Sequence, residues 1–175
     1  MVSIGAREGG PDDQGRLLAL FDEAVRWLLA RGQTGQWGVA LPSREERWRG
    51  RVRELATDYE LHFLELDGDP VGAVVFGAHP SYVEESSTSE LYIELLITAR
   101  SHRGEGLGHE LLALAERTAR QRELSRLRLD CWAGAPTLVG WYESEGFRRC
   151  GTFARGEWMG QLLARPVPYA GALES

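Results

Sequence analysis

The sequence predicts an α/β (α+β) fold in which about seven strands and about four helices share one domain. The chain has 175 residues and 43% hydrophobic content, which is enough to bury a sizeable core. Apolar runs of strand character are separated by segments whose apolar residues recur every three or four positions. In the stretch 91–114 a strand runs through a glycine-rich turn directly into a helix. We therefore expect a single domain over residues 1–165 and a loose tail over residues 166–175.

The first half of the chain is predicted from caps, periodicity and turns. Asp12 is suited to cap a helix with one apolar face, and Gly32 suits the C-terminal cap of that helix. Ser43, followed three residues later by Glu46, matches a capping box and predicts a second helix. An acidic glycine turn at 67–70 predicts a hairpin. The predicted elements are a strand at 2–4, helices at 13–31 and 44–56, and strands at 61–66 and 71–77.

The second half is predicted in the same way. A polar stretch leads to an apolar run that begins at Leu91, and an apolar stripe begins at Leu107. Pro136 suits the first turn of the last helix, which Gly146 ends. The predicted elements are a strand from 91, a helix from 107 to near 123, a strand at 127–132, a helix from 136, and strands at 147–153 and 157–163.

The turn between the strand and the helix has the composition of an anion site. It reads RGEGLG from Arg103 to Gly108. The first amides of a helix have no intrahelical acceptor, and the helix dipole adds positive character there. Because glycine lets oxygen atoms approach the backbone, the turn predicts a phosphate or diphosphate site. The alternative is a solvent-exposed turn with a surface arginine.

The spacing Arg-x-x-Gly-x-Gly, at Arg103, Gly106 and Gly108, resembles the acyl-CoA pyrophosphate loop of the GNAT acyltransferase superfamily. A dinucleotide-binding turn would need Gly or Ala where His109 stands, and the chain has no Gly-Lys-Ser/Thr of a P-loop. Segment 142–147, which starts 34 residues after Gly108, resembles the family's helix ending in Tyr-x-x-x-Gly-Phe. The element order is also similar to the GNAT fold, which implies a mixed, mostly antiparallel, twisted sheet.

The resemblance implies an N-acetyltransferase that moves an acetyl group from acetyl-CoA, its co-substrate, to a primary amine by direct attack in a ternary complex. We expect a small-molecule amine, because the loops 32–41 and 79–89 are bulky for an open peptide groove. Two alternatives stay open: a protein or peptide N-acetyltransferase, and a non-catalytic acyl-CoA-binding domain. Members of the family are often dimers, so a homodimer stays open as well.

By the same resemblance, the pantetheine arm pairs with the strand before the loop, and the diphosphate lies on the backbone amides of the loop. The Leu96 amide would donate to the thioester carbonyl and stabilise the oxyanion. Thr98 stands where the family more often has an aliphatic residue, a change that a backbone contact tolerates. The residues implied in cofactor binding are Leu96, Ile97, Thr98, Arg103, Gly104, Glu105, Gly106, Leu107, Gly108 and His109.

Two side chains are the candidate catalytic groups. Glu94 lies inside an apolar strand, nine residues before Arg103, where family members often carry a glutamate that acts as base directly or through water. Burial would raise its pKa toward the working range, whereas a solvent-facing or structural carboxylate is the alternative. Tyr142 matches the tyrosine that protonates the CoA thiolate, and its alternative is a half-buried tyrosine of an amphipathic helix. The family's asparagine upstream of this helix is missing, since 133–136 reads AGAP.

Net charge, hydropathy and residue spacing indicate which classes of binding partner to expect. A net charge of −6 argues against a nucleic-acid partner and is compatible with a cationic amine. No apolar run approaches the ~20 residues that span a bilayer, and the start has no signal layout, so we expect no membrane association and a cytoplasmic location. Cys131, Cys150 and the histidines show no metal-ligand spacing, so no metal is expected. Trp37, Tyr82 and Trp158 lie where this fold builds its acceptor pocket, and the other tryptophans are expected in the core.

Overall fold

The computed structural model describes residues 4–168. Within them, strands and α-helices follow one another in the predicted order, with short 3₁₀ helices at Pro11–Asp13, Pro42–Arg44 and Arg100–His102. The strands are β1 (Ile4–Glu8), β2 (Glu60–Leu66), β3 (Asp69–Gly77), β4 (Glu90–Thr98), β5 (Arg126–Trp132), β6 (Arg148–Arg155) and β7 (Trp158–Pro166). The α-helices are α1 (Gln14–Leu29), α2 (Glu46–Thr57), α3 (Leu107–Gln121) and α4 (Pro136–Ser144).

The seven strands form one mixed sheet in the order β1-β2-β3-β4-β5-β7-β6. β4 and β5 pair in parallel, whereas β1 with β2, β2 with β3, β5 with β7, and β6 with β7 pair antiparallel. A mixed sheet with four helices confirms the fold class that the sequence predicts.

The chain divides into two compact units, which are described separately. Residues 4–76 and 95–111 belong to the first unit, and residues 77–94 and 112–168 to the second. The division falls within β4 and within α3, so each of these elements contributes to both units.

In the first unit, β1, β2 and β3 form an antiparallel meander. Asp67 (φ 51°) and Gly68 (φ 89°) are both left-handed and make a two-residue turn, with Leu66 opposite Asp69. The predicted hairpin is confirmed, with a tighter turn than the predicted 67–70. The buried side chains of α1 lie at the predicted apolar spacing: Leu17, Leu20, Phe21, Ala24, Val25 and Leu28.

Both helices of the first half begin later than their sequence signals. Asp13, not Asp12, is the N-cap of α1, and its buried carboxylate accepts the Gly10 N–H at 3.0 Å. The capping box at Ser43 is also wrong, because Ser43 lies in a 3₁₀ turn before α2 and donates its N–H to Asp22 at 2.9 Å. At both helix starts the hydrogen bonds differ from those of the local cap pattern, because the Asp13 carboxylate bonds to Gly10 and the Ser43 N–H bonds to Asp22.

Arg7 joins β1 to the start of α1 and to β2. Its guanidinium donates to the two Asp13 oxygens at 2.9 and 3.2 Å and to Glu65 at 2.7 Å. The hydrogen bond from Arg7 is the main cause that lowers the pKa of Asp13 from 3.8 to about 2. Because the folded pKa is the lower one, this pair stabilises the fold at neutral pH, and the contribution is lost as the pH falls from 3.8 to about 2.

In the second unit, the loop 79–89 is anchored to the sheet. Arg128, only 5% exposed, donates from Nη1 to the Glu84 carbonyl at 3.0 Å. Val83 of the loop is buried against the side chains of the sheet. These contacts fasten the loop to one face of the second unit.

The two ends of the described chain differ from the sequence expectation. β1 begins at Ile4, so most of the predicted strand at 2–4 lies outside the described residues. The predicted tail starts inside β7, which runs to Pro166, and Val167 is buried with its N–H donated to the Ser125 carbonyl at 2.8 Å. Residues 169–175 of that tail lie outside the described residues. No helix of residues 4–168 is long and apolar enough to cross a bilayer.

Gly9 offers a test of the packing in the first unit. A Cβ at Gly9 would lie 2.8 Å from Leu61 Cγ and 2.9 Å from Phe63 Cε2, and both side chains are fully buried. We expect Gly9→Ala to lower the free energy of unfolding by about 1–3 kcal/mol, because the core must shift. In the control Gly5→Ala, the Cβ would meet no atom within 4 Å, so a change within about 0.5 kcal/mol is expected. Equal urea midpoints for the two variants would contradict this packing.

Candidate active site

The turn after β4 holds two glycines in the left-handed region. The chain leaves β4 at Thr98, makes the 3₁₀ turn Arg100–His102 and enters α3 at Leu107. Gly104 has φ 88° and Gly106 has φ 77°, conformations that cost other residues about 1–2 kcal/mol. A Cβ at either glycine would meet no atom within 4 Å. The side of the loop on which a side chain would stand is therefore open.

Backbone N–H groups at the start of α3 are available to an anion. The Glu110 N–H bonds to the Gly106 carbonyl at 3.1 Å, whereas amides of the first helical turn precede the intrahelical ladder. Residues 103–106 are exposed, and the helix dipole adds positive character at this end. The Glu105 carboxylate lies 3.0 Å from Nδ1 of His102. A strand, a glycine-rich turn and a helix start thus follow one another here, the order found in anion sites at helix N-termini.

The loop rests on α1, a support that sequence reasoning missed. The Ser101 N–H donates to Oε1 of Glu23 at 2.7 Å. Arg100 and Arg103 place their guanidinium carbons 4.6 and 5.6 Å from the ring centroid of Trp27. The predicted core position of Trp27 is wrong, because the ring is half-buried among arginines. Glu23 and Trp27 are four residues apart on α1 and so share a helix face outside the apolar stripe. That spacing is the sequence feature that could have indicated a contact surface for the loop.

The end of β4 is seated on the neighbouring strand. Ile97 is 1% exposed, whereas Leu96 and Thr98 are half-buried on the opposite face. The Ile97 carbonyl lies 3.3 Å from the position of a Cβ at Gly72, so Gly72 allows the two backbones to approach closely. The backbone of residues 96–98 is thus held in place by packing.

Glu94 follows the last residue pair of the parallel ladder between β4 and β5. That ladder runs from Glu90 opposite Arg126 to Ile93 opposite Leu129. The Glu94 side chain is half-buried, and its Oε2 is shielded from solvent. Its charge contributes to raising the pKa of Tyr92, behind burial and the neighbouring Asp130 as larger causes. By the alternation of the strand, Glu94 lies on the same face of β4 as the Tyr92 ring.

Tyr142 is fixed by the motif to which it belongs. Gly146 (φ 88°) ends α4 in the left-handed region, and the Phe147 N–H returns to the Tyr142 carbonyl at 3.1 Å. The Phe147 ring then meets the Tyr142 ring edge-on at a centroid distance of 5.7 Å, and Trp141 packs at 4.8 Å. Tyr142 is 5% exposed, more buried than a half-buried helix tyrosine. The glycine and the phenylalanine of the motif thus hold the tyrosine ring in one orientation.

The predicted site residues fall in both units. The ten cofactor-binding candidates, within 96–109, form one strand, turn and helix segment of the first unit. Glu94 on β4 and Tyr142 on α4 belong to the second unit. Their roles stay predictions.

A comparison with family models decides the class of the chain. The model of the acetyltransferase (GNAT) family matches residues 22–147, which include the glycine loop, Glu94 and the Tyr142 motif. This chain belongs to the GNAT acetyltransferase family. The family uses acetyl-CoA as its co-substrate, so the chain is an acyl-CoA-dependent acetyltransferase.

Relatives and solved structures agree with this class. The uncharacterized N-acetyltransferase YesJ of Bacillus subtilis (strain 168) is 24% identical over 154 residues, covering 83% of this chain and 82% of that protein. An acetyltransferase from Thermus thermophilus has a similar fold, with a TM-score of 0.67, 22% identity and coverage of 94% and 97% of the two chains. The ribosomal-protein-S18-alanine N-acetyltransferase of Escherichia coli also has a TM-score of 0.67, with 14% identity over 97% of each chain.

The GNAT asparagine that precedes the last helix is replaced here by a different local structure. A Cβ at Gly134 would lie 2.3 Å from the Trp132 ring, so the indole lies directly on the Gly134 backbone. α4 then starts at Pro136. A side chain at Gly134 would collide with the ring, which explains the glycine at this position.

Two further features of the described chain bear on other kinds of chemistry. Within residues 4–168, no group of three or more His, Cys, Asp and Glu side chains is placed to hold a metal ion. Cys131 is buried and Cys150 is exposed, and both are free thiols.

Gly106→Ala tests the GNAT loop. An alanine is strained at φ 77°, and its methyl group would occupy the open side of the turn. We expect the dissociation constant of acetyl-CoA to rise about tenfold or more, measured by calorimetry. Gly68→Ala is the matched control, since Gly68 has φ 89° and open space around it but lies in the β2–β3 turn. Equal affinities of both variants and the parent protein would rule out the loop as the cofactor site.

Proposed function

We propose that this acetyltransferase acts on the primary amine of a small molecule and that the amine attacks the donor directly in a ternary complex. The observation that carries the proposal is the open, glycine-lined turn at the start of α3, together with a carboxylate and a tyrosine in the positions that the family uses. Similar structures include enzymes named for protein and for small-molecule acceptors, so their names alone do not choose between the classes.

The loop fits the diphosphate of coenzyme A on three counts. It has left-handed glycines, backbone amides at a helix start and an open side. Arg103 is exposed and can add charge-assisted hydrogen bonds while its guanidinium stays near Trp27. The backbone of residues 96–98 is proposed to pair with the pantetheine arm, and the Leu96 amide to donate to the thioester carbonyl oxygen.

The proposed step balances with two side chains. Acetyl-CoA, when bound, supplies a thioester carbonyl carbon as the electrophile. The amine nitrogen forms a bond to this carbon, and the carbon–sulfur bond breaks. Glu94 takes the proton that the nitrogen loses, directly or through water, and Tyr142 gives its hydroxyl proton to the departing thiolate. The Tyr142 ring is held by Phe147 and by the left-handed Gly146, which suits a group that must keep one orientation.

A small acceptor is supported by the loop that is fastened to one face of the second unit. Loop 79–89 is fastened across this face through Glu84 and Val83, so an extended groove for a peptide would require the loop to leave its anchors. A peptide acceptor is therefore an outcome that an acceptor screen must include, with peptides that carry free N-termini or lysines.

Tyr142→Phe removes only the hydroxyl group and keeps the ring contacts. We expect kcat for a good amine acceptor to fall by about 10²-fold, because the thiolate then leaves without a proton donor. CoA release measures the rate, and acetyl-CoA affinity should stay the same. Tyr59→Phe, on a tyrosine that packs against Arg51 before β2, is the control and should leave the rate unchanged. Unchanged turnover in Tyr142→Phe would remove the tyrosine from the mechanism.

Glu94→Gln keeps the shape of the side chain and removes the base. At neutral pH we expect kcat/KM to fall by about 10²-fold. The deficit should narrow as the pH rises toward the pKa of the acceptor, because the fraction of neutral amine then increases without help from the enzyme. The exposed Glu85→Gln is the matched control. A loss that is the same at every pH would assign Glu94 a structural role.

A further inference from the structure

One face of the second unit collects polar groups that the proposed mechanism does not use. The Tyr92 hydroxyl on β4 donates to Oδ2 of Asp130 on β5, and Glu94 lies two residues beyond Tyr92 on the same face. Asp130 pairs with Leu162 of β7, so the alternation of the strands places Gly160, and opposite it Phe153 of β6, on this face as well. The Glu94 carboxylate, the proposed base, thus shares a surface with Asp130.

Asp130 is a carboxylate without a cation. It is half-buried, and burial is the main cause that raises its pKa. Its contact in the described chain is the neutral hydroxyl of Tyr92, which is itself 1% exposed, and no Lys, Arg or His of residues 4–168 forms an ion pair with it. Partly desolvated carboxylates are normally offset by a positive charge. An ammonium group from outside the described chain would supply this charge.

Arg155 is the reverse case, a cation without a carboxylate. Its guanidinium carbon lies 4.3 Å from the centroid of the Tyr82 ring, and no acid of residues 4–168 forms an ion pair with it. Its charge nevertheless acts to lower the pKa of Asp130, so the two groups lie within electrostatic reach of each other. Stacking on Tyr82 fixes the plane of the guanidinium while its N–H donors stay available.

Aromatic rings pack next to the guanidinium of Arg155. A Cβ at Gly160 would lie 2.2 Å from Cζ of Phe153, so the glycine is what allows the ring to lie flat across β7. Phe153 contacts Tyr82 at a centroid distance of 5.0 Å and Trp158 at 5.8 Å. This part of the face offers apolar contact area next to the unpaired charges.

We propose that this face binds an α-amino acid or a close analogue as the acceptor, with its ammonium group at Asp130 and its carboxylate at Arg155. The inference rests on the proposed function, since it names the class of amine. Opposite charges that are near each other but not paired are complementary to a zwitterion, whose ammonium and carboxylate groups are attached to one carbon. The Tyr92 hydroxyl positions Asp130, and the aromatic rings contact the acceptor's side chain.

A simple cationic amine or a polyamine fits this face less well. It would leave the Arg155 guanidinium facing a second positive charge, and it would offer no partner for its donors. A carboxylate, in contrast, matches the fork of the guanidinium in shape and in charge. The predicted specificity is therefore for an acidic group next to the amine.

The experiment compares matched acceptors. All twenty amino acids are first assayed for CoA release with acetyl-CoA, and the best of them is then compared with its amide and its decarboxylated amine, which lack the carboxylate charge or the whole group. We expect the best amino acid to exceed its amide and its decarboxylated amine by about tenfold or more in kcat/KM, because a site built for a carboxylate rejects analogues without it. The parent protein, saturated with CoA, is also titrated with the same compounds by calorimetry.

Arg155→Gln should remove this preference. Its kcat/KM should fall about tenfold or more for the amino acid and stay within about twofold for the amine that lacks the carboxylate. Arg155 is exposed, so the variant should fold, and Arg148→Gln at the other exposed end of β6 is the matched control. Asp130→Asn should weaken all amines alike. If Asp130→Asn does not fold, Tyr92→Phe is the second variant, and it should weaken all amines because the carboxylate loses the hydroxyl that positions it.

The outcomes separate this inference from the proposed function. Amino-acid binding that depends on Arg155, without CoA release, would support the binding site and overturn the acetyl transfer. Turnover of amines with no preference for a carboxylate, and no effect of Arg155→Gln, would leave the transferase intact and overturn the amino-acid site. Turnover of peptides alone, or neither binding nor turnover of any amino acid, would overturn it as well.

Discussion

The first unit depends on the turn between β4 and α3, where the left-handed Gly104 and Gly106 lead into an exposed helix start. Some amides of this turn bond within it, as Glu105 does to the His102 carbonyl at 3.3 Å, whereas the first amides of α3 have no intrahelical acceptor. Such groups are costly unless water or a ligand accepts them. Contacts with α1 stabilise the turn: the Ser101 N–H donates to Glu23, and Arg100 and Arg103 stack on Trp27. These contacts hold the loop that carries the exposed donors.

In the second unit, the candidate functional groups are side chains whose positions are fixed by neighbouring residues. The Tyr142 ring is oriented by an edge-on phenylalanine and by a helix that can end there because Gly146 tolerates the left-handed region. Asp130 is held by a single neutral hydroxyl. A half-buried carboxylate with one neutral partner adds little to folding stability and keeps capacity to accept a hydrogen bond from a ligand.

Periodicity and glycine positions are enough to predict the element order, the hairpin, the glycine turn and the family. Their information is local, so they do not predict contacts between distant segments. Asp12 and Ser43 have the local pattern of caps, although Asp13 caps α1 and the Ser43 N–H serves Asp22 on another helix. The same limit explains the wrong core position predicted for Trp27. The pairing of Tyr92 with Asp130 joins residues 38 positions apart, and no spacing in the sequence signals it.

The contact between Glu23 and Ser101 has a thermodynamic meaning of its own. It ties the loop to α1, a helix that lies more than seventy positions earlier in the chain. A ligand that binds the loop favours the state in which this contact is formed. Binding at the loop and the folded state of α1 therefore stabilise each other. Local unfolding of the amino-terminal region becomes rarer when a ligand occupies the loop.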